Sequence, residues 1–319
     1  MADRLPIAIL RGDSARAEAV FDTIRSRPRI FAGYPLNVAD WAGDYDFAER
    51  AARAQTIEDR PANTQFAGHL NLARILAAGG RWEEADREIT RASRMDPQRA
   101  LTLGATLATL PFLNVSRESL ARWRDGLRSW TPQAAETHAV PTRAYDRHAR
   151  LYLLGLVSSK LGDFEAAAAC ADSLRLIPDE AATAVPGDLA ATIRADIAWR
   201  SGQPPERVLQ ALEAVSGHVP AGLWQNPVFA LEHARYLRAV ALLAAGGAED
   251  AEVWLKNTFS FSPGVIYYRA GVKYLAARAL DALSRPAEAR EARAAYERLW
   301  ARADAPIDLP GSAADPPRR

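Results

Sequence analysis

One stretch of the sequence, residues 66–97, constrains the fold more than any other. It reads FAGHLNLARILAAGGRWEEADREITRASRMDP, two segments of helical length on either side of Gly79-Gly80. Glycine tolerates the left-handed backbone conformation in which many helices end, so this pair predicts a break between two helices. Ala73 and Ala92 are small residues at positions where two antiparallel helices would cross closely. The stretch therefore predicts a helical hairpin.

The same segmentation recurs along the whole chain. One anchor position near the start of each predicted second helix marks the repeats, and these anchors are Ala17, Ala48, Ala85, Leu120, Ala167, Arg207, Ala251 and Ala289. No stretch alternates apolar and polar residues with period two over several residues, so strands are not expected. A single amphipathic hairpin cannot bury its apolar face, whereas stacked hairpins share a continuous core. We expect an all-α fold of about eight antiparallel hairpins without a sheet.

Residues 66–97 resemble a tetratricopeptide repeat. The family pattern W-x2-L-G-x2-Y, then A-x3-F, then P is matched in spacing by His69, Leu72, Ala73, Leu76, Ala85, Ile89 and Pro97. The resemblance extends over nearly the whole chain. It implies a right-handed superhelical solenoid that acts as a protein–protein interaction scaffold and binds a peptide or helix in its concave groove.

A second likeness concerns the C-terminal half, which is similar to repeat regions attached to bacterial serine/threonine kinases and winged-helix regulators. The residues that carry it are Tyr296, Leu299, Trp300, Ala303, Asp304 and Pro306. Tyr296 lies closer to Trp300 than is usual in those regions. This likeness implies an alternative function, a sensor or regulatory region of a bacterial signalling protein.

The predicted repeats fall into two groups and a tail. Residues 1–130 form the N-terminal repeats and residues 143–302 the C-terminal repeats, and we expect one continuous solenoid. Residues 303–319 are rich in proline and lack periodicity, which predicts a disordered tail.

The helix register predicts which side chains would line the groove. Tyr and Trp supply stiff contact area, and Asn and Arg can bind peptide backbone or carboxylates. The candidates occupy non-core positions of the predicted first helices and are Asn37, Asp40, Asn71, Arg74, Tyr152, Asp196, Trp199, Arg200, His233, Tyr236, Tyr274 and Arg278. A competing interpretation is that many of them are solvated or make contacts within the repeats.

Composition narrows the partners. Lys plus Arg number 40 and Asp plus Glu 39, a net charge of +1, which is a poor electrostatic basis for binding nucleic acid or a membrane surface outside local patches. The apolar run near the start is too short for a signal peptide or for membrane insertion, so a cytoplasmic location is the default expectation. Cys170 is the single cysteine and lies in an alanine-rich segment, which predicts a buried thiol.

The sequence lacks the common motifs of catalysis. The sequence contains no glycine-rich phosphate loop, HExxH zinc motif or GxSxG elbow. The five histidines show no i,i+4 pairing with one another, and no cofactor or metal is expected. We therefore predict a non-catalytic protein whose partner is a protein or peptide. The remote alternative is an enzyme with an unrecognised site in the groove.

Overall fold

The computed structural model describes residues 4–26, 34–132, 145–177, 183–219, 223, 226, 228–257, 263–307 and 309. All regular structure in these residues is helical, which confirms the predicted all-α class and the expected lack of strands there. The α-helices are α1 (Arg4–Leu10), α2 (Ser14–Arg25), α3 (Tyr34–Asn37), α4 (Tyr45–Gln55), α5 (Ala62–Ala78), α6 (Trp82–Ser93), α7 (Pro97–Ala108), α8 (Arg117–Ser129), α9 (Asp146–Leu161), α10 (Phe164–Arg175), α11 (Val185–Arg200), α12 (Pro205–Glu213), α13 (Glu232–Ala244), α14 (Ala248–Asn257), α15 (Arg269–Ala282) and α16 (Pro286–Leu299). A π-helical turn, Val38–Ala42, follows α3, and a 3-10 turn, Pro263–Tyr268, precedes α15.

Local sequence explains where these helices end and begin. Gly80 follows α5 with a φ of 73°, and Gly162 follows α9 with a φ of 82°, a left-handed conformation that suits glycine. The carboxylate of Asp44 accepts a hydrogen bond from the Phe47 amide at 2.8 Å and so caps α4. Asp163 caps α10 in the same way, through the Ala166 amide at 3.2 Å.

Small residues let successive helices approach closely. Helices that follow one another along the chain pack together from α4 to α16. Ala73 is fully buried in α5. At Gly155 in α9, an added Cβ would lie 2.6 Å from Ile193 Cδ1 of α11, closer than real Cβ contacts allow. The burial of Ala73 agrees with a small residue at a helix crossing, and Gly155 leaves α9 room to approach α11.

The two ends of the described chain meet. The 3-10 turn 263–268 lies against α3 and α5, and the Tyr45 hydroxyl donates to the Ile266 carbonyl at 3.0 Å. Asp304 joins the α5–α6 hairpin twice, because its amide donates to the Gly80 carbonyl at 3.1 Å and its carboxylate accepts from the Glu83 amide at 2.9 Å. The helices are therefore closed on themselves by contacts more than 200 residues apart in sequence.

An aromatic junction fills the centre between the first half and the last hairpin. It consists of Phe112, Tyr236, Tyr268 and Trp300. The Phe112 ring lies 5.2 Å from Tyr236, 5.9 Å from Tyr268 and 6.0 Å from Trp300, measured between ring centroids. Phe112 is completely buried, and an added Cβ on Gly271 of α15 would lie 2.6 Å from its ring.

Lys160 of α9 holds the loop that carries Phe112. Its ammonium donates to the carbonyls of Ala108, Leu110 and Leu113 at 2.9, 2.9 and 2.7 Å. These carbonyls lie at and beyond the end of α7, where a continuing helix would have supplied their amide donors, and the Leu110 carbonyl also accepts from the Leu113 amide at 3.3 Å. Lys160 therefore positions Phe112 for the aromatic junction.

The structure describes only part of the connector and of the tail that the sequence delimits. The connector at 133–144 and the residues 308 and 310–319 lie outside the described residues. Ala303–Ile307 and Leu309, which the sequence places in the tail, are described. Leu309 is buried, and Ala303 packs against the core.

Candidate functional site

A cleft of about 830 Å³ opens where the ends of the chain meet. We call it the inter-end cleft. Its walls are α4 and the turn before it, the α5–α6 turn, and helices α15 and α16. The charged residues that line it are Asp44, Asp46, Glu49, Arg81, Arg269, Lys273, Arg298 and Arg302. A volume of this size lies within the range of ligand sites in proteins.

Four of these cations lie on one wall. Arg269 and Lys273 are four residues apart in α15, Arg298 lies in the last turn of α16, and Arg302 follows the end of that helix. Residues at i and i+4 share one face of a helix, so α15 presents Arg269 and Lys273 together. The same wall contains Leu299.

The opposite wall places carboxylates at the start of α4. Asp44 is the helix cap, and Asp46 and Glu49 follow in the first turns. Acidic side chains are favourable there because the exposed amides carry partial positive charge. Arg81, which precedes α6, adds a cation to this wall.

Glu49 is the most strongly held group of the cleft. Its carboxylate accepts from Arg81 Nη1 at 2.6 Å, from Arg53 Nη2 at 2.7 Å and from Arg302 Nη2 at 3.3 Å. Burial by itself would raise the pKa of Glu49, but the hydrogen bonds from Arg81 and Arg53 outweigh burial and hold that pKa below its ordinary value. Glu49 is therefore an ionised anchor for the arginines around it.

Among the residues that the structure describes, three ion pairs join the two sides of the cleft, from Arg302 to Asp46 and to Glu49 and from Arg269 to Asp40. Arg302 Nη2 lies 2.6 Å from Asp46 Oδ1. The guanidinium of Arg269 donates to both the carbonyl and the carboxylate of Asp40. The Arg302–Asp46 pair is exposed, with 59% and 84% of the two side chains accessible, so it contributes little stability.

Lys273 and Arg298 are the cations of the cleft without a carboxylate. No acidic group among the residues that the structure describes lies within 4 Å of either. Both side chains are exposed. The cleft therefore has two positive charges that its own acidic residues do not neutralise.

The groove residues predicted from sequence lie elsewhere, mostly in the interior. Six are buried, namely Asn71, Tyr152, Asp196, Trp199, His233 and Tyr236. Five are half-buried, namely Asn37, Asp40, Arg74, Arg200 and Tyr274, and Arg278 is exposed. Tyr236 belongs to the aromatic junction. A peptide-binding role stays a prediction for these positions, but the buried ones contact the protein's own core in this structure.

Three of them form a buried polar cluster that joins α11 to α13. Asp196 accepts from Arg200 Nε at 2.9 Å, and its other oxygen lies 2.8 Å from His233 Nε2. Burial disfavours the carboxylate, but Arg200 and His233 outweigh it and hold the pKa of Asp196 well below its usual range. Burial lowers the pKa of His233 despite the neighbouring carboxylate. The cluster is an ionised Asp–Arg pair with a neutral imidazole donating to it.

Two other predicted candidates form a polar chain on α5. Asn71 Nδ2 donates to Gln55 Oε1 at 3.2 Å, and Arg74 Nη1 donates to Asn71 Oδ1 at 3.3 Å. Arg278, on α15, lies over the Tyr274 ring with 5.9 Å from guanidinium carbon to ring centroid. The structure thus distributes the predicted groove residues over several internal contacts rather than along one open surface.

Sequence reasoning missed the charged residues of the inter-end cleft. The signal available was the i,i+4 spacing of the basic pair Arg269 and Lys273 in α15, but such pairs also occur on ordinary solvated helix faces. Cys170, by contrast, is buried as expected, and burial raises the pKa of its thiol to about 11.

Comparisons with known proteins leave these features without a relative. The sequence matches no protein-family model, and a comparison with curated proteins finds no match. Among the residues that the structure describes, no three His, Cys, Asp or Glu side chains are grouped to hold a metal ion. None of the described helices is both long and apolar enough to cross a bilayer.

Proposed function

We propose that the protein is a non-catalytic interaction scaffold, a right-handed tetratricopeptide-like solenoid of about eight helical hairpins. The match of residues 66–97 to the repeat pattern supports this proposal, as does the packing of successive helices from α4 to α16. A partner protein or peptide is the ligand class that such stacked hairpins suit.

We further propose that the partner occupies the inter-end cleft. The observation that carries this is the filled interior, because six of the predicted groove residues are buried, Phe112 packs against Tyr236, and the turn 263–268 packs against α5. The inter-end cleft remains open, has a volume of about 830 Å³ and combines apolar with charged residues. Such a combination suits recognition of a peptide segment.

The buried polar cluster supports a non-catalytic role. Asp196 and His233 form a carboxylate–imidazole pair, the kind of pair that general-base catalysis uses. Asp196 is completely buried and His233 is 5% exposed, so neither group lies on an open surface where a substrate would bind. The pair joins two helices instead.

A site-specific photocrosslinker tests where partners bind. A benzophenone amino acid at Ala295, which lines the inter-end cleft, is compared with the same amino acid at Ala287, an exposed position on the same helix outside the cleft. After irradiation in lysate of the encoding cell, we expect a discrete protein adduct at Ala295 that Ala287 does not form. Identical adducts at both positions, or none at Ala295, would contradict the proposal.

A further inference from the structure

We infer that the inter-end cleft binds an acidic peptide segment, with Lys273 and Arg298 contacting its carboxylates. This inference rests on the proposed function of the cleft as the partner surface. It adds the chemistry of the partner, which the fold alone does not specify.

Charge complementarity is the first step. Five cations and three carboxylates line the cleft. The carboxylates are already engaged, since Asp44 caps α4, Asp46 pairs with Arg302, and Glu49 accepts from three arginines. Lys273 and Arg298 therefore present positive charge outward, and an incoming carboxylate gains a partner without displacing one.

The apolar part of the lining is the second step. Ile9 and Leu299 are half-buried, Ile75 is buried, and all three belong to the lining. A segment that carries both carboxylates and apolar side chains could cover them while its acids reach Lys273 and Arg298. Cations beside apolar contacts favour a peptide over a free small anion.

The carboxylates of the cleft argue against nucleic acid. Asp44, Asp46 and Glu49 lie on the wall opposite Lys273 and Arg298, where they would repel a continuous phosphate backbone. A peptide can place its separate carboxylates on the cationic wall and its apolar or neutral groups on the acidic one. The chain's net charge of +1 also lacks the excess of basic residues that nucleic-acid binding uses.

The third argument for an acidic partner is that the Arg302–Asp46 pair is exposed. Because water already competes for this pair, Arg302 can exchange Asp46 for a ligand carboxylate at little cost. Arg302 would then act beside Arg298, four residues earlier on the same segment. Arg81 cannot exchange in this way, because both of its carboxylate partners lie within 2.7 Å and its side chain is 11% exposed.

Fluorescence anisotropy with labelled synthetic peptides tests the inference. The probe is a short peptide of Glu, Leu and Ala, and its counterpart carries Lys in place of Glu. We expect the parent protein to bind the acidic probe and not the basic one, with affinity falling as salt is raised. The double variant Lys273→Glu/Arg298→Glu is expected to bind at least about tenfold more weakly.

A charge-matched control isolates the cleft from net charge. Arg87→Glu/Arg290→Glu makes the same charge change at two exposed arginines outside the cleft lining, and it should bind the acidic probe like the parent. Equal weakening in both double variants would overturn the inference. Thermal melting of each variant checks that the fold is retained, which we expect because none of the four side chains has an ion-pair partner among the described residues.

The outcomes separate this inference from the proposed function. An adduct at Ala295 without binding of the acidic probe would overturn the acidic partner and leave the cleft as an interaction surface. Failure of both would overturn the proposed function as well. Tighter binding of a labelled oligouridine RNA than of the acidic probe would replace the peptide by nucleic acid and also overturn the inference.

Discussion

Two junctions join the first half of the chain to the last hairpin, and they differ in the interactions that form them. The aromatic junction is apolar and buried, with Phe112 among three other rings and against Gly271. The inter-end cleft is exposed to solvent and contains ion pairs, among them Arg302–Asp46 and Arg269–Asp40. Both connect residues that are far apart in sequence.

The difference separates stability from recognition. Burying aromatic area removes apolar surface from water and stabilises the closed arrangement by several kcal/mol. Exposed ion pairs contribute about 0–1 kcal/mol each, and water and salt compete for them. The aromatic junction therefore keeps the ends together, and under our proposal Lys273 and Arg298 of the cleft contact the partner.

The largest effect is expected at the aromatic junction itself. Phe112→Ala removes a completely buried ring and leaves a cavity, so we expect the free energy of unfolding to fall by about 3–5 kcal/mol. Urea denaturation measures the change. Leu176→Ala is the control, because Leu176 is 81% exposed and its truncation should change stability by less than about 0.5 kcal/mol. Similar losses in the two variants would show that the junction does not stabilise the fold.

Opposite pH responses are expected from buried acids near the two junctions. Glu232 of α13 is 4% exposed, and burial raises its pKa from 4.5 to about 8. The unfolded chain releases this proton first, so stability is full below pH 4.5 and is lost as pH rises to about 8. Near pH 8 the loss relative to pH 5 is about 3 kcal/mol. Glu232→Gln should therefore raise the melting temperature near pH 8 and change it little near pH 5.

Glu49 of the cleft should show the opposite dependence of stability on pH from Glu232. Its folded pKa is lowered by hydrogen bonds from Arg81 and Arg53 in spite of burial, so its contribution is present above the ordinary pKa of 4.5 and is lost as pH falls through the folded pKa. Glu49→Gln should lower the melting temperature near pH 7 and have a smaller effect in acid. If both Gln variants shift melting in the same direction at every pH, the assigned environments are wrong.

A smaller effect is expected from Gly271→Ala. Alanine favours a helix over glycine by about 1 kcal/mol, but its Cβ would lie 2.6 Å from the Phe112 ring in a tightly filled site. Overpacking costs about 1–3 kcal/mol, so the clash should outweigh the gain. Gly187→Ala in α11 is the control, since its Cβ meets nothing within 4 Å and should leave stability equal or higher. If the two variants change the melting temperature equally, the added Cβ at Gly271 does not clash with the Phe112 ring.

The smallest effect on stability is expected at the inter-end cleft. Arg302→Ala removes an exposed ion pair, and we expect a loss of less than about 1 kcal/mol that disappears at high salt. Chemical denaturation by urea in low and high NaCl measures it. A salt-independent loss as large as that of Phe112→Ala would show that the cleft, and not the aromatic junction, holds the ends together.

Much of the local architecture was predictable, because it depends on neighbours in the chain. The break at Gly80 follows from glycine's tolerance of a left-handed backbone, and the burial of Ala73 follows from its small size and its place in the predicted hairpin. The buried state of Cys170 follows from its alanine-rich helix. The tetratricopeptide relationship and the partner stay predictions.

The groove residues show why the candidate site was harder to predict. Register places Tyr236 and Tyr152 on first helices, and an open solenoid would expose that face. In the structure Phe112, which lies in the loop after α7, packs against Tyr236, while Asp196 and His233 pair with each other. Periodicity along one helix carries no information about which distant segment will cover it.

The sequence by itself determined the helices, their breaks and the small residues at helix crossings, because propensity, periodicity and backbone freedom act over a few residues. Only the tertiary structure decided that the ends of the chain meet. Gly80 belongs to both levels, since its φ of 73° ends a helix, and the absence of a Cβ also admits the Trp300 ring, which would lie 2.7 Å from that atom. Which distant surfaces pair is set by the shape and charge of whole faces, so the filled interior and the inter-end cleft exist only once the chain has folded.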